Sequence, residues 1–258
     1  MTVIAITNQK GGVGKTTIAY NLACTLSNRR NTKVLAIDND PQGNLTSSFL
    51  KGSLPPDGNV ARVYENETAI PQQVTDNLYL HGADISLAPV AERDFQVIFR
   101  LKEALDGLQS GTDAYDYVII DCLPSFGHLH LAALLAADAV LIPVKPAPYA
   151  LAGMKDLFGT IEKTKKYFNP GLEILGIVVN QVDGRGLVME REMEETLRET
   201  HGNLVFKTRI SKRVRVEESP AFHQPISSYD SRGASAREFG AFAGEFVRRV
   251  NSLSRGGK

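Results

Sequence analysis

Cysteine and tryptophan are scarce: 258 residues include two cysteines and no tryptophan. Two thiols, Cys24 and Cys122, cannot build a disulfide framework or a four-cysteine metal site. Each lies in an apolar stretch and reads as a small core residue, which suits a reducing cytoplasm. A secretory leader is not expected, because the chain enters a β-like run at Val3 without a basic n-region. A membrane span is not expected either. The longest apolar stretch, Leu129 to Val144, is broken by His130, Asp138 and Pro143. An excess of charge is also missing, since 29 Lys+Arg stand against 29 Asp+Glu. That balance argues against a protein that coats DNA through bulk positive charge. It conceals a polarity along the chain. Residues 205–258 hold eleven basic and five acidic residues, a surplus of six, which leaves residues 1–204 with a deficit of six.

What is present is a regular alternation. Apolar residues make up 43 % of the chain, ordinary for a globular protein of this length. Short β-branched runs at Val3–Thr7, Lys33–Asp38, Asn77–Leu80, Tyr117–Cys122, Ala139–Val144, Leu172–Asn180 and Leu204–Phe206 predict strands. Helical spacing predicts helices at Thr16–Arg29, Asp94–Leu108, Leu129–Ala137, Leu151–Phe168, Leu187–His201 and Ala234–Leu253. Residues 50–77 read as irregular, and 207–233 as a basic loop. Continuously apolar strands alternating with helices imply an α/β fold, a mostly parallel twisted sheet with helices on both faces. No linker or repeat divides it, so residues 1–258 are expected to form a single domain.

The strongest chemical signal is Lys10-Gly11-Gly12-Val13-Gly14-Lys15-Thr16-Thr17, between the first strand and the first helix. Glycines at 11, 12 and 14 let the backbone curl until successive N–H groups face one anion, and the helix N-terminus adds partial positive charge there. Lys15 is placed to reach β- and γ-phosphates, and the Thr16 hydroxyl to ligate Mg²⁺. Gln9 replaces the usual first glycine. The extra lysine, Lys10, starts on the far side of the loop, where it could meet phosphates held by a second subunit.

Carboxylates follow at strand ends, where a parallel sheet opens its ligand crevice. Asp38 and Asp40 close the second strand; one can hold a metal-bound water and the other can orient an attacking water. Asp121 ends a run of apolar residues in the pattern of a Walker B acid, which holds Mg²⁺ through water. Asn180 ends a later strand, and its amide matches the donor–acceptor edge of adenine.

The string K-G-G-V-G-K-T-T resembles the deviant Walker A loop of the ParA and MinD ATPases, and Asp38-Asn39-Asp40-Pro41-Gln42-Gly43-Asn44 is closer to ParA. The likeness runs from Val3 to about Leu253. It implies a short ParA-type partition ATPase without the N-terminal helix-turn-helix domain of longer relatives. In that family Lys10 is a signature lysine acting across an ATP-sandwiched dimer, Asp40 lies in switch I and serves hydrolysis, and Asn180 falls at the adenine pocket. Leu123 stands where relatives carry a proline in switch II. The resemblance further implies ATP and Mg²⁺ as cofactors, an ATP-bound homodimer, nonspecific double-stranded DNA and a ParB-like centromere-binding protein as partners, and a cytoplasmic, nucleoid-associated location.

Candidate DNA contacts are Lys212, Arg213 and Arg215 in the 207–226 segment, Arg185 near a helix start, and Arg248 beside Arg249 on the last helix. A MinD-like membrane cycle would use that last helix. Phe239, Phe242, Phe246, Val250 and Leu253 share one face of it. Interleaved small residues and the polar Ser254–Lys258 tail favour packing on the sheet instead. A ParA-like positioner of a protein cargo would share every motif. A metabolic P-loop enzyme would need a substrate pocket or cluster cysteines.

Overall fold

Alternate residues of the first strand, β1 (Thr2–Ile6), enter opposite cores: Val3 and Ala5 join one buried cluster, Ile4 and Ile6 the other. This period of two on a strand buried on both faces is what a covered parallel sheet requires. The computed structural model describes residues 1–109, 114–147, 150–186 and 188–256. After β1 come α1 (Lys15–Ser27), β2 (Val34–Asn39), α2 (Asn44–Phe49), α3 (Ala61–Tyr64), β3 (Gln72–Thr75) and β4 (Leu78–His81). The chain continues through α4 (Arg100–Gln109), β5 (Tyr117–Cys122), α5 (His128–Ala136), β6 (Ala139–Val144), α6 (Ala150–Tyr167) and β7 (Glu173–Val179). It closes with α7 (Val188–His201), α8 (Val214–Glu218), α9 (Ile226–Tyr229) and α10 (Ala234–Gly256).

The seven strands form one sheet in the order β3-β4-β2-β5-β1-β6-β7, parallel throughout except for the antiparallel edge pair β3–β4. Helices α4, α5 and α6 pack on one face, and α1 and α10 on the other. In register, Ile6 lies beside Asp121, and Asp121 beside Asp38. The C-terminal ends of the three central strands therefore deliver the glycine-rich loop, Asp121, and Asp38 with Asp40 to one crevice.

Several expectations are corrected. Residues 50–77 are not wholly irregular: they contain α3 and β3, the latter a polar edge strand. The 94–108 segment starts as a 3₁₀ turn at Phe95–Phe99 and becomes α-helical only at Arg100. The stretch 207–233 is not a continuous loop, because α8, a 3₁₀ turn and α9 occupy about half of it. Leu204–Phe206 contributes only an isolated bridge, Val205 to Ile177. The expected helix start at Leu187, and Gly257 and Lys258 of the tail, lie outside the described residues.

Helix α10 resolves the amphipathic question physically. Phe239, Phe242, Phe246 and Val250 are all buried, with Phe246 against Tyr117 and Phe242 against Phe206 at ring-centroid distances of 5.8 and 5.3 Å. The apolar face that a membrane-surface helix needs is spent inside the fold. Among the described residues, no helix is long and apolar enough to cross a membrane.

Candidate functional site

The phosphate loop follows from its glycines. Gly12 and Gly14 have φ values of 71° and 86°, a left-handed conformation that a side chain resists. Gly14 caps α1 without a side-chain bond, so the first N–H groups of the helix remain directed at the crevice. A Cβ on Gly14 would also collide with the Asn180 amide. The loop borders a cleft of about 450 Å³, shared with Lys15, Thr16, Asp40, Ser47, Ser48, Pro124 and Gln181.

Lys15 is buried, and its Nζ donates to the Lys10 carbonyl at 3.4 Å. Burial lowers its pKa, against the pull of Asp121, Cys122 and Asp40. Such a lysine gains when phosphate oxygens replace the missing water. Lys10 itself is exposed at the mouth of the loop, and its N–H donates to Asn8 Oδ1 at 3.0 Å.

Asp121 is buried at the end of β5. Burial pushes its carboxyl well above the usual aspartate range, and neighbouring Asp38 adds to the rise. The Thr16 hydroxyl donates to it, and together with Lys15 it opposes the shift. The other oxygen, Oδ1, is buried without a hydrogen-bond partner among the described residues. A buried carboxylate oxygen with no donor, next to a threonine hydroxyl, is a hard-oxygen set that a divalent cation or its waters would satisfy.

Asp38 lies beside Asp121 in register at the end of β2. Its Oδ2 accepts from Thr46 N at 2.8 Å and Thr46 Oγ1 at 2.7 Å, and its Oδ1 from Asp40 N at 3.2 Å. Both oxygens are engaged by protein donors, so Asp38 braces the segment that carries Asp40 and offers no orphaned oxygen of the kind Asp121 has. Burial nevertheless raises its pKa to about 6. Asp40 stands half-buried at the cleft rim, its Oδ1 accepting from Gln42 N at 3.0 Å. Leu123 packs against the core, while Pro124 faces the cleft.

Asn180 is buried behind the loop, where its Nδ2 donates to the Val13 carbonyl at 2.8 Å. Its amide nitrogen is thus already engaged by protein. Three residues that the sequence did not single out belong to this site. Thr46 ties Asp38 to the Ala83 N–H through its hydroxyl, at 2.8 Å. His130 lies 2.8 Å from Thr7 Oγ1 and contacts the Phe126 ring. Gln181 donates to the Gly12 carbonyl at 3.0 Å. None belongs to a local string, and only the fold brings them to the loop.

The basic residues divide. Lys212, Arg213 and Arg215 sit together, because Val182 and Ser211 form a parallel bridge and Lys212 N donates to the Val182 carbonyl. Arg185 is close by, gripping Asp183, whose pKa falls to about 2 chiefly through the Arg185 hydrogen bonds, with Lys212 contributing. Arg213 pairs with Glu238 at 3.1 Å and Arg215 with Asp230 at 3.0 Å, both partly exposed. Such pairs contribute only about 0–1 kcal/mol each, so phosphates can displace the acids cheaply. Arg248 is exposed beside Lys207 and Asn203, on α10. Arg249 turns inward, donating to the Leu175, Leu204 and Val205 carbonyls and stacking 4.0 Å from the Phe206 ring. It is a structural arginine.

A family model described as an AAA domain matches residues 1–174. The chain is 38 % identical over 255 residues to the sporulation initiation inhibitor protein Soj of Bacillus subtilis, covering 92 % of this chain and 94 % of Soj. It is 38 % identical to the chromosome-partitioning ATPase Soj of Thermus thermophilus, with 96 % of each covered. It is 37 % identical to the chromosome partitioning protein ParA of Myxococcus xanthus, covering 96 % of this chain and 88 % of that one. Among solved structures, apo McdA of Cyanothece shares the fold with a TM-score of 0.84 at 23 % identity, over 96 % of this chain and 99 % of that one. Cobyrinic acid a,c-diamide synthase of Mycobacterium smegmatis, solved with an ATP analogue and magnesium, gives 0.73 at 28 % identity, over 91 % and 98 %. On these likenesses and on its deviant phosphate loop, the chain belongs to the ParA/Soj family of chromosome-partitioning P-loop ATPases.

Proposed function

We propose that this single domain is a Mg²⁺-dependent ATPase whose ATP-bound sandwich dimer binds DNA without sequence preference and is stimulated to hydrolyse by a ParB-like partner. The observation that carries the reading is the juxtaposition of Asp121, with one buried oxygen unpartnered among the described residues, against Thr16 and Lys15 beside the glycine loop that opens α1. Thr16 and Asp121 would hold Mg²⁺, which supplies charge neutralisation at the phosphate oxygens. Val13 and Thr17, with the loop glycines, present backbone N–H groups to the phosphates, and Lys15 neutralises the charge that builds on them. Asp40, whose N–H is held directly by Asp38, itself fixed by Thr46, orients the attacking water at the rim. Lys10 lies at the loop mouth, where a second copy's phosphates would approach. Asn180 sits beside the loop where an adenine edge would arrive.

DNA contact falls to Arg215, Arg213, Lys212 and Arg185, which one bridge brings together, with Arg248 outlying on α10. A neutral chain has little general attraction for DNA, whereas two basic segments on one dimer do. The reading places the protein in the cytoplasm, on the nucleoid. A membrane cycle loses its support once the α10 face is buried. The test is phosphate release from ATP with Mg²⁺ and with a chelator. The reading requires turnover that needs Mg²⁺ and rises with DNA and the partner. Mg²⁺-independent release, or none under any condition, would refute it.

A further inference from the structure

We infer that Gln181 and Asn180 form a clamp that presets the phosphate loop for anion binding, with Gln181 as a positioning residue for nucleotide phosphates. The inference rests on the phosphate-loop reading above. Consecutive side-chain amides at the end of β7 grip consecutive carbonyls, Gln181 Nε2 on Gly12 and Asn180 Nδ2 on Val13, at 3.0 and 2.8 Å. In a trans peptide the C=O and the following N–H point in opposite directions. Holding the Gly12 and Val13 carbonyls toward β7 therefore turns the N–H groups of Val13 and Gly14 away from it. Without the clamp these peptides, flanked by glycines at 11, 12 and 14, are free to flip and present a carbonyl to the phosphate instead.

Two further observations fit. Successive side chains on an extended strand point to opposite faces, so two neighbours can reach one loop only if the backbone turns between them. Gln181 makes that turn with φ of 57°, an unfavourable conformation for a side-chain-bearing residue. Gly14 is also the position where a Cβ would strike the Asn180 amide and crowd that of Gln181 at 3.3 Å. The loop thus has a seat for both amides.

The test measures binding of ADP, GDP and inorganic pyrophosphate by calorimetry, in Mg²⁺, for wild type, Gln181→Met and Gln181→Gly. Methionine keeps the length and loses the donor. Glycine loses the donor and relaxes the left-handed backbone, so a merely structural role predicts unchanged or improved stability and unchanged binding. The clamp predicts that both variants keep the wild-type Tm or better, and weaken all three ligands by the same factor of about 3 to 10, the worth of one hydrogen bond. Unchanged binding by both variants would overturn the clamp. So would a loss confined to ADP, which would make Gln181 a reader of the base. Failure of the wild type to bind any of the three would instead bring down the phosphate-loop reading, and the clamp with it.

Discussion

Asp38 and Asp121 lie side by side in register on β2 and β5, both buried, and only Asp38 has both oxygens hydrogen-bonded. Two neighbouring carboxylates in a dry site raise each other's pKa, and the unsatisfied one bears the larger penalty. Asp121 is thus costly to the free protein and gains when a cation arrives.

Replacing Asp121 with Asn should therefore stabilise the nucleotide-free protein at neutral pH. The amide oxygen still accepts from Thr16, and the buried charge is gone. A gain of about 1 kcal/mol would raise Tm by about 2–4 °C. The same variant should lose Mg²⁺-dependent hydrolysis. Scanning calorimetry without nucleotide, beside a phosphate-release assay, checks both; a lower Tm would show that the carboxylate is already satisfied by protein.

Lys15 and Asp40 should separate binding from chemistry. Lys15→Ala is expected to weaken ATP about 100-fold, the worth of a charge-assisted contact. Asp40→Ala should bind ATP normally and lower kcat about 100-fold or more, as loss of a water-orienting group does. Equilibrium binding and single-turnover kinetics on both variants test the division. Equal effects of the two on binding would contradict it.

The buried histidines should each contribute stability that is lost in acid. Burial lowers the pKa of His81 and of His130 to about 4, from 6.5. Between those values the unfolded chain takes up a proton that the native one refuses, so stability falls as pH drops from 6.5 through about 4. Asp38 acts with the opposite sign: it holds its proton in the native state up to about 6, so its cost of ionisation fades over the same descent. His81→Gln should flatten the acid limb by at most about 1.4 kcal/mol per pH unit. Urea denaturation at a series of pH values reads this directly, and an unchanged slope would exclude His81 as a contributor.

Arg215 pairs with an acid fifteen residues away, and that acid is available to be displaced. Arg215→Glu should abolish DNA binding with ATP present and leave ATP-dependent dimerisation intact, since Arg215 is exposed and away from the cleft. Light scattering and DNA mobility shift on the same sample test it. Unaltered DNA binding would move the surface elsewhere.

Much of the architecture was legible because it is local. Tyr117–Cys122 and Ala139–Val144 are apolar runs with sharp ends, and the structure gives the same boundaries. The polar edge strand β3 escaped, since Gln72–Thr75 is defined only by its pairing with β4. α8 and α9 are too short to show a helical period and are held by tertiary contacts such as Ile226 N to Asn21 Oδ1 at 2.8 Å. At the site, Lys15, Thr16 and Asp121 announce themselves in strings. Thr46, His130 and Gln181 do not, because their partners lie on other elements. The acids opposite Arg213 and Arg215 were equally hidden, and they change the meaning of the basic segment from an open patch to a set of exchangeable ion pairs.

The central claim is that nucleotide gates DNA binding by a chain with no net charge. It is tested most directly by titrating the wild type onto nonspecific double-stranded DNA with ATP, with ADP and without nucleotide, at several salt concentrations. The account predicts tight binding only with ATP, with log K falling linearly as log salt rises. Equal binding in all three nucleotide states, or none in any of them, would contradict it.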